Sequence, residues 1–247
     1  MTKLFIAIPT HDGKLFTDFV VSLFSLTQLL SGVNIGFTIK YLQGSHINRS
    51  RNMLVDYFLQ SDCSHLLFLD TDLVGYENHV EVMVDMDRDI VGGLYSTKSI
   101  EMDLLAWNLA NGVHPLMATK FNVNLNDSVE ESREQLTKFG YCKVKNVGTG
   151  CMLIKRKVFE KLMDVFPCKK IKVVASENER HYYYNFFDSF IHPTEGHYLS
   201  EDYGFCHLCQ QLRIQIYAID MFPLYHIGSF FYTGKFTNYL KFLESRK

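Results

Sequence analysis

The sequence lacks the features that would direct it to a membrane, a nucleic acid or a disulfide framework. The first apolar run, Leu4 to Ile8, is ended by Pro9 and His11-Asp12, too short for a signal sequence or a bilayer span. Residues 15–30 come nearest to a span, but Thr17, Asp18, Ser22, Ser25, Thr27 and Gln28 interrupt them. The expectation is a cytoplasmic protein, or a soluble domain cut from a longer chain. The formal net charge is −2; there is no basic excess to mark a nucleic-acid footprint and no polybasic run for a membrane surface. The cysteines at 63, 142, 151, 168, 206 and 209 are scattered, which favours reduced thiols over disulfides. Cys206 and Cys209 make a lone C-x-x-C with no second pair to complete a zinc site, so they read as small apolar residues on a helix face. A dinucleotide oxidoreductase is excluded by the want of G-x-G-x-x-G after the first strand.

What is present is an ordinary globular balance, 47% apolar and 21% charged over 247 residues, enough for a sizeable core. Aromatics reach 14% with a single Trp; a stacking surface for a ligand and a bulky core both account for that. The first half alternates strands and helices. Lys3–Ile8, 34–42, Leu66–Leu69 and Ile90–Leu94 read as strands; 15–30, 47–60 and 77–86 read as helices. In 15–30 the helical spacing is carried by Phe16, Phe19, Val20, Leu23, Phe24 and Leu30. This alternation implies an α/β fold, a mostly parallel central sheet flanked by helices. The polar segment 119–139 reads as a surface excursion. Strands at 143–147 and 151–155 follow, then a helix at 156–165 and an irregular aromatic stretch at 168–199. A helix at 201–212, a strand at 215–219 and a helix near 235–245 complete the chain. With no internal repeat or low-complexity linker, one domain is expected over 1–247, with a regular half to about residue 95 and a less regular half, about 96–247, after it.

The strongest chemical signal is Leu66-Leu67-Phe68-Leu69-Asp70-Thr71-Asp72. A buried strand delivers two carboxylates to its C-terminal end, where ligands bind in open α/β sheets. If the chain stays extended, Asp70 and Asp72 point to the same side and can approach one hard cation, Mg²⁺ or Mn²⁺, which would neutralise a departing diphosphate. Turn or helix capping is the structural alternative. Arg49 and Arg51 stand at a predicted helix start, where basic residues are disfavoured; either guanidinium can pair there with a phosphate, a base or a donor sugar. Glu201 and Asp202 follow Ser200, a good N-cap, and the helix dipole alone would favour them.

These landmarks, with Phe5-Ile6-Ala7-Ile8-Pro9-Thr10, Ile47 to Asn52, Gly148 to Ile154 and Ser200 to Phe205, resemble in order the GT-A glycosyltransferases. The resemblance implies a transfer of a sugar from a nucleotide-diphosphate donor, UDP by default as the commonest in the superfamily, to a hydroxyl of a glycan or other acceptor. It implies Mn²⁺ (or Mg²⁺) on Asp70, Asp72 and His226, and a donor contacted by Pro9, Thr10, Asp12, Arg49, Arg51, Asp70, Thr71 and Asp72. Asp202 would be the base of an inverting single displacement, with Glu201 orienting the acceptor or the base. Ser229, Tyr232 and Lys235 would touch the diphosphate from a closing loop, and Trp107 and the aromatics at 182–187 would line the acceptor site or simply pack. Neither a nucleic acid nor a membrane span is expected. Three rivals stand beside this: a metal-dependent phosphohydrolase, a nucleotidyltransferase, for which Pro9 to Lys14 is a poor Gly-rich basic loop, and a non-catalytic nucleotide- or carbohydrate-binding module.

Overall fold

The computed structural model describes residues 2–176 and 179–246. The chain runs β1 (Lys3–Thr10), α1 (Thr17–Gly32), β2 (Gly36–Gln43), α2 (Ile47–Gln60), β3 (His65–Leu69), β4 (Leu73–Val74), α3 (Glu77–Asp85) and β5 (Ile90–Gly93). It continues through α4 (Met102–Ala110), β6 (Val123–Leu125), α5 (Val129–Phe139), β7 (Tyr141–Val147), β8 (Cys151–Lys155), α6 (Arg156–Val165), β9 (Lys170–Ser176) and β10 (Glu179–Tyr184). It closes with β11 (Phe190–Ile191), β12 (Tyr198–Leu199), α7 (Glu201–Gln211), β13 (Ile216–Ile219), β14 (Tyr225–Ile227), β15 (Phe231–Tyr232) and α8 (Phe236–Ser245).

The fold is α/β, as the sequence pattern implies. Eight of these strands form one sheet in the order β2-β1-β3-β8-β5-β13-β7-β6. β1 pairs parallel with β2 and β3, and β5 with β13; β7 and β8 run against their neighbours. The sheet is therefore mixed, with most strands pointing one way, and it draws on both halves of the chain. Helices cover both faces, which is why β1 and β3 are continuous apolar runs and not alternating ones. From β1, Phe5 and Ala7 face one core with Phe58, Phe159, Phe187 and Phe205, while Leu4, Ile6 and Ile8 face another with Phe19, Leu26 and Tyr76. β3 divides likewise, Leu66 and Phe68 against Leu67 and Leu69. Each buried Phe or Leu is worth about 1.5–3 kcal/mol, so this strand is fixed before its terminal carboxylates do anything.

Three sequence expectations need correction. The segment 119–139 is not a mere excursion: it supplies edge strand β6 and helix α5. That helix starts at a full capping box, with Ser128 accepting from Glu131 N–H while the Glu131 carboxylate accepts from Ser128 N–H. The stretch 168–199 contains two hairpins, β9–β10 and β11–β12. In α1 the buried face is Phe19, Ser22, Leu26 and Leu30, whereas Phe16, Val20 and Phe24 face solvent. The helix is apolar on more than one side, so its period did not identify its core face. Cys206 and Cys209 are buried on α7, as expected, and all six cysteines are free thiols. Among the described residues, no helix is long and apolar enough to cross a membrane.

Candidate functional site

β3 ends at Leu69, and the chain turns at once: Leu73 N–H donates to the Asp70 carbonyl at 3.2 Å. The extended geometry that would send Asp70 and Asp72 to the same side is lost in that turn. The two carboxylates instead belong to two clusters. Asp70 N–H donates to Gly150 O at 2.8 Å, tying the turn to the loop before β8.

The first cluster is built around Arg51, which lies on the buried face of α2 at 3% exposure. Its Nη2 donates to Asp70 Oδ2 at 3.0 Å and its Nε to Glu201 Oε1 at 3.3 Å. The guanidinium also lies over the Phe68 ring, 5.2 Å from its centre. Burial opposes the charge of Arg51, but Asp70 and Glu201 outweigh that and raise it above the ordinary guanidinium range. Burial pushes the Glu201 carboxyl up against the pull of Arg51. Behind the pair, Phe187 stacks on Phe205 at 4.5 Å and meets Phe68 edge-on at 5.2 Å. Asn52, next in α2, clamps the backbone of Phe187 at both N–H and C=O. Strand end, α2 and α7 are thereby held as one block.

Asp202 sits beside this cluster at the start of α7, 7% exposed. Asn122 Nδ2 donates to its Oδ2 at 3.1 Å, and its Oδ1 accepts from Tyr203 N–H at 2.8 Å and from the Ser200 hydroxyl. Ser200 is at the N-cap position, but its hydroxyl holds Asp202 and does not cap the helix. Tyr95, which follows β5, completes this side. Its hydroxyl accepts from Gly150 N–H at 3.1 Å, and burial together with the charges of Asp70 and Asp202 pushes it well above the usual phenol range. A Cβ on Gly148 or Gly150 would lie 2.3 or 2.8 Å from that oxygen, so the small-residue turn exists to admit the phenol.

The second cluster forms because β4 follows the turn directly and pairs antiparallel with β14, placing His226 opposite Leu73. Ile227 N–H donates to Asp72 O at 2.7 Å. His226 Nδ1 is 2.8 Å from the Ser96 carbonyl. A carbonyl only accepts, so Nδ1 carries a hydrogen, and Nε2 is left to face Asp72, as a donor in the charged ring and with a lone pair in the neutral one. That Nε2 is 3.4 Å from Asp72 Oδ2, the oxygen that also receives the Lys98 ammonium. Burial alone would raise the Asp72 carboxyl; hydrogen bonds and charge from a protonated His226 and from Lys98 outweigh it and bring it to about 2.

Beside Asp72, Thr71 joins His11, Asp12, Lys14, Leu15 and Phe16 around a cleft of about 520 Å³. Pro9 and Thr10 end β1 at its edge: the Thr10 hydroxyl accepts from Gly13 N–H at 2.8 Å and shapes the loop that carries Asp12. The structure thus groups Asp72 with His226 and Lys98, with Asp12 and Thr71 on the adjoining cleft, and groups Asp70 with Arg51 and Glu201, with Asp202 next in α7; Tyr95 joins the two groups, its ring 5.4 Å from that of His226. Arg49 joins neither. It is exposed and lines a separate cleft with His46 and Met53. Among the described residues, no group of three or more His, Cys, Asp or Glu side chains is arranged to hold an ion. Tyr232 lies opposite His226 in the β14–β15 hairpin, whereas Lys235 precedes α8. Phe186 and Phe187 are wholly buried core residues, and Trp107 is half-buried against Phe242 of α8. Tyr95, Lys98 and Asn122 are the site residues that sequence reasoning passed over. The first two lie in a loop with no periodicity, and only their position just past a strand end pointed to them.

No protein-family model and no curated protein matches the chain. Among solved structures it is similar to A197 from STIV, with 20% identity, 93% of this chain and 87% of that one covered, and a TM-score of 0.48. It is similar to UDP-glucose pyrophosphorylase complexed with UDP-glucose at 9% identity, covering 100% and 98% of the two chains with a TM-score of 0.44. A glycosyltransferase involved in the glycosylation of the major capsid of PBCV-1 shares 9% identity over 66% of each chain, with a TM-score of 0.31.

Proposed function

We propose that the chain is a metal-dependent glycosyltransferase, folded as one GT-A-like unit, that moves a sugar from a nucleoside-diphosphate donor to an acceptor hydroxyl. The observation that carries this reading is the convergence of Asp72 Oδ2 and the His226 Nε2 lone pair, 3.4 Å apart, beside a cleft lined by Asp12 and Thr71. A ring whose other nitrogen is committed to a carbonyl is the ordinary preparation of a histidine ligand. One carboxylate and one imidazole suit Mn²⁺. At metal–ligand distances of about 2.1 Å, atoms this close can touch one ion. Two protein ligands suffice, because such ions keep places for water and for phosphate oxygens. When bound, the ion would neutralise the charge that builds on the departing diphosphate.

The protein's own residues do the rest. Asp12 and the Thr10 loop hold the nucleoside side, with Thr71 and Asp72 beneath the phosphates. Arg51 ties the β3 terminus to the start of α7, which supports a place for Asp202 beside the reacting centre. Its three donors orient the carboxylate that takes the acceptor proton, and Glu201 secures the helix start. On this reading the transfer is an inverting single displacement, with Asp202 as the base opposite the leaving diphosphate.

The test is calorimetric titration with UDP, GDP, dTDP and CMP, each with Mn²⁺ and again with EDTA. Mn²⁺-dependent binding of one nucleotide supports the donor site. If none binds and phosphate is released from a nucleotide substrate without an acceptor, the protein is a phosphohydrolase; binding without turnover of any donor leaves the non-catalytic module.

A further inference from the structure

Lys98 has no part in the transfer as set out above, yet it makes the closest approach to Asp72. Its ammonium lies 2.5 Å from Asp72 Oδ2, the oxygen that faces His226 Nε2. The loop beneath it is pinned: Ser96 bridges to Phe121, Thr97 N–H donates to Lys120 O at 2.7 Å, and Ser96 O receives His226 Nδ1–H. The Lys98 stem crosses the backbone at Gly228, where a Cβ would stand 3.3 Å from Lys98 Cδ and 2.9 Å from Tyr232 Cε2. Gly228 thus leaves a track along which the side chain reaches Asp72. With the backbone anchored and the side chain 37% exposed, the part free to move is a flexible stem bearing a point charge.

We propose that Lys98 is an exchangeable counter-ion of the metal site: a divalent cation displaces its ammonium from Asp72, and the released ammonium then pairs with the donor diphosphate. This rests on the metal reading of Asp72 and His226. The argument is electrostatic. A divalent ion on Asp72 Oδ2 would repel an ammonium within a few ångströms in a partly desolvated site. Lys98 must then leave that oxygen, and the nearest new anion is the diphosphate that arrives with the ion. Metal alone therefore binds against a resident charge, whereas metal with nucleotide binds without loss, because Lys98 gains a phosphate for the carboxylate it gives up. The two ligands are coupled through one side chain, and the ion is retained chiefly when a donor is present to use it.

The test compares wild type with Lys98→Met, which keeps the stem and removes the charge, and Lys98→Arg, which keeps the charge. EDTA-treated protein is titrated with Mn²⁺ alone, free Mn²⁺ being read by its paramagnetic resonance signal, and then with UDP at saturating Mn²⁺. The expected result is Mn²⁺ binding at least about fivefold tighter in Lys98→Met, near wild type in Lys98→Arg, and weaker UDP binding in Lys98→Met. Equal Mn²⁺ affinity in wild type and Lys98→Met overturns the exchange while the metal reading stands. Tighter Mn²⁺ with unchanged UDP affinity overturns the transfer of Lys98 to the phosphates. Absence of Mn²⁺ binding from all three proteins, with His226→Gln identical to them, overturns the metal reading and the exchange together.

Discussion

On one side of the β3 terminus a cation is locked away; on the other a cation is within reach of water. Arg51, at 3% exposure, is fixed by two carboxylates, an aromatic face and the packing of α2. Lys98, at 37%, meets Asp72 at the end of a flexible stem. The same elementary interaction, a cation on a carboxylate, serves as a brace in the first case and as an occupant in the second. What separates them is burial and the number of partners, since a buried charge is costly to leave unpaired and an exposed one is not.

Removing the brace is expected to do the most damage. Arg51→Met leaves Asp70 and Glu201 partly buried without a counter-charge and should lower stability by about 3–5 kcal/mol, read as a shifted urea midpoint with an unchanged slope. A stability within experimental error of wild type would mean that the two sides do not differ as described. Asp202→Asn tests the chemistry on that same side. Transfer should fall by about 10²–10⁴-fold with nucleotide binding retained; loss of nucleotide binding would show that Asp202 serves the donor instead. On the open side, His226→Gln should weaken Mn²⁺ binding by at least about tenfold while the thermal midpoint stays within a few degrees, the reverse of the Arg51 pattern. The smallest effect is one of pH. The Asp72 carboxyl is held at about 2, below its ordinary value of 3.8. Its contribution is thus complete above pH 4 and lost as pH falls through 2. At about 1.4 kcal/mol per unit it amounts to about 2 kcal/mol. In Asp72→Asn the difference from wild type should shrink over that window, and a difference constant from pH 6 to pH 2 would refute the assignment.

Much of this architecture was legible because hydrophobic period reports burial. Helix α2 occupies the range its spacing predicts, and Leu66–Leu69 is buried on both faces as a continuous apolar run must be. Segment 119–139 was misread because a capping box in polar sequence carries little hydrophobic signal, and a three-residue edge strand carries none. The residue types of the site were also legible, Asp70, Asp72, Asp202 and His226 among them. Their grouping was not, since it depends on the turn after Leu69 that parts the two aspartates. Nor did any local pattern announce Tyr95 or Lys98, which matter for what they meet across the fold, Gly150 and Asp72.

The Arg51 brace has a consequence for how the site is assembled. Its two partners lie 19 and 150 residues away along the chain, so it cannot be completed by any early, local stretch of structure. Contacts of such separation form late, after the loop entropy between them has been lost. A chain halted during synthesis before α7 has the Asp-x-Asp turn but lacks Glu201 and Asp202, and with them the brace, as well as His226 on β14. Both clusters at the β3 terminus therefore wait on the same late event, the joining of the C-terminal segment to the rest of the sheet.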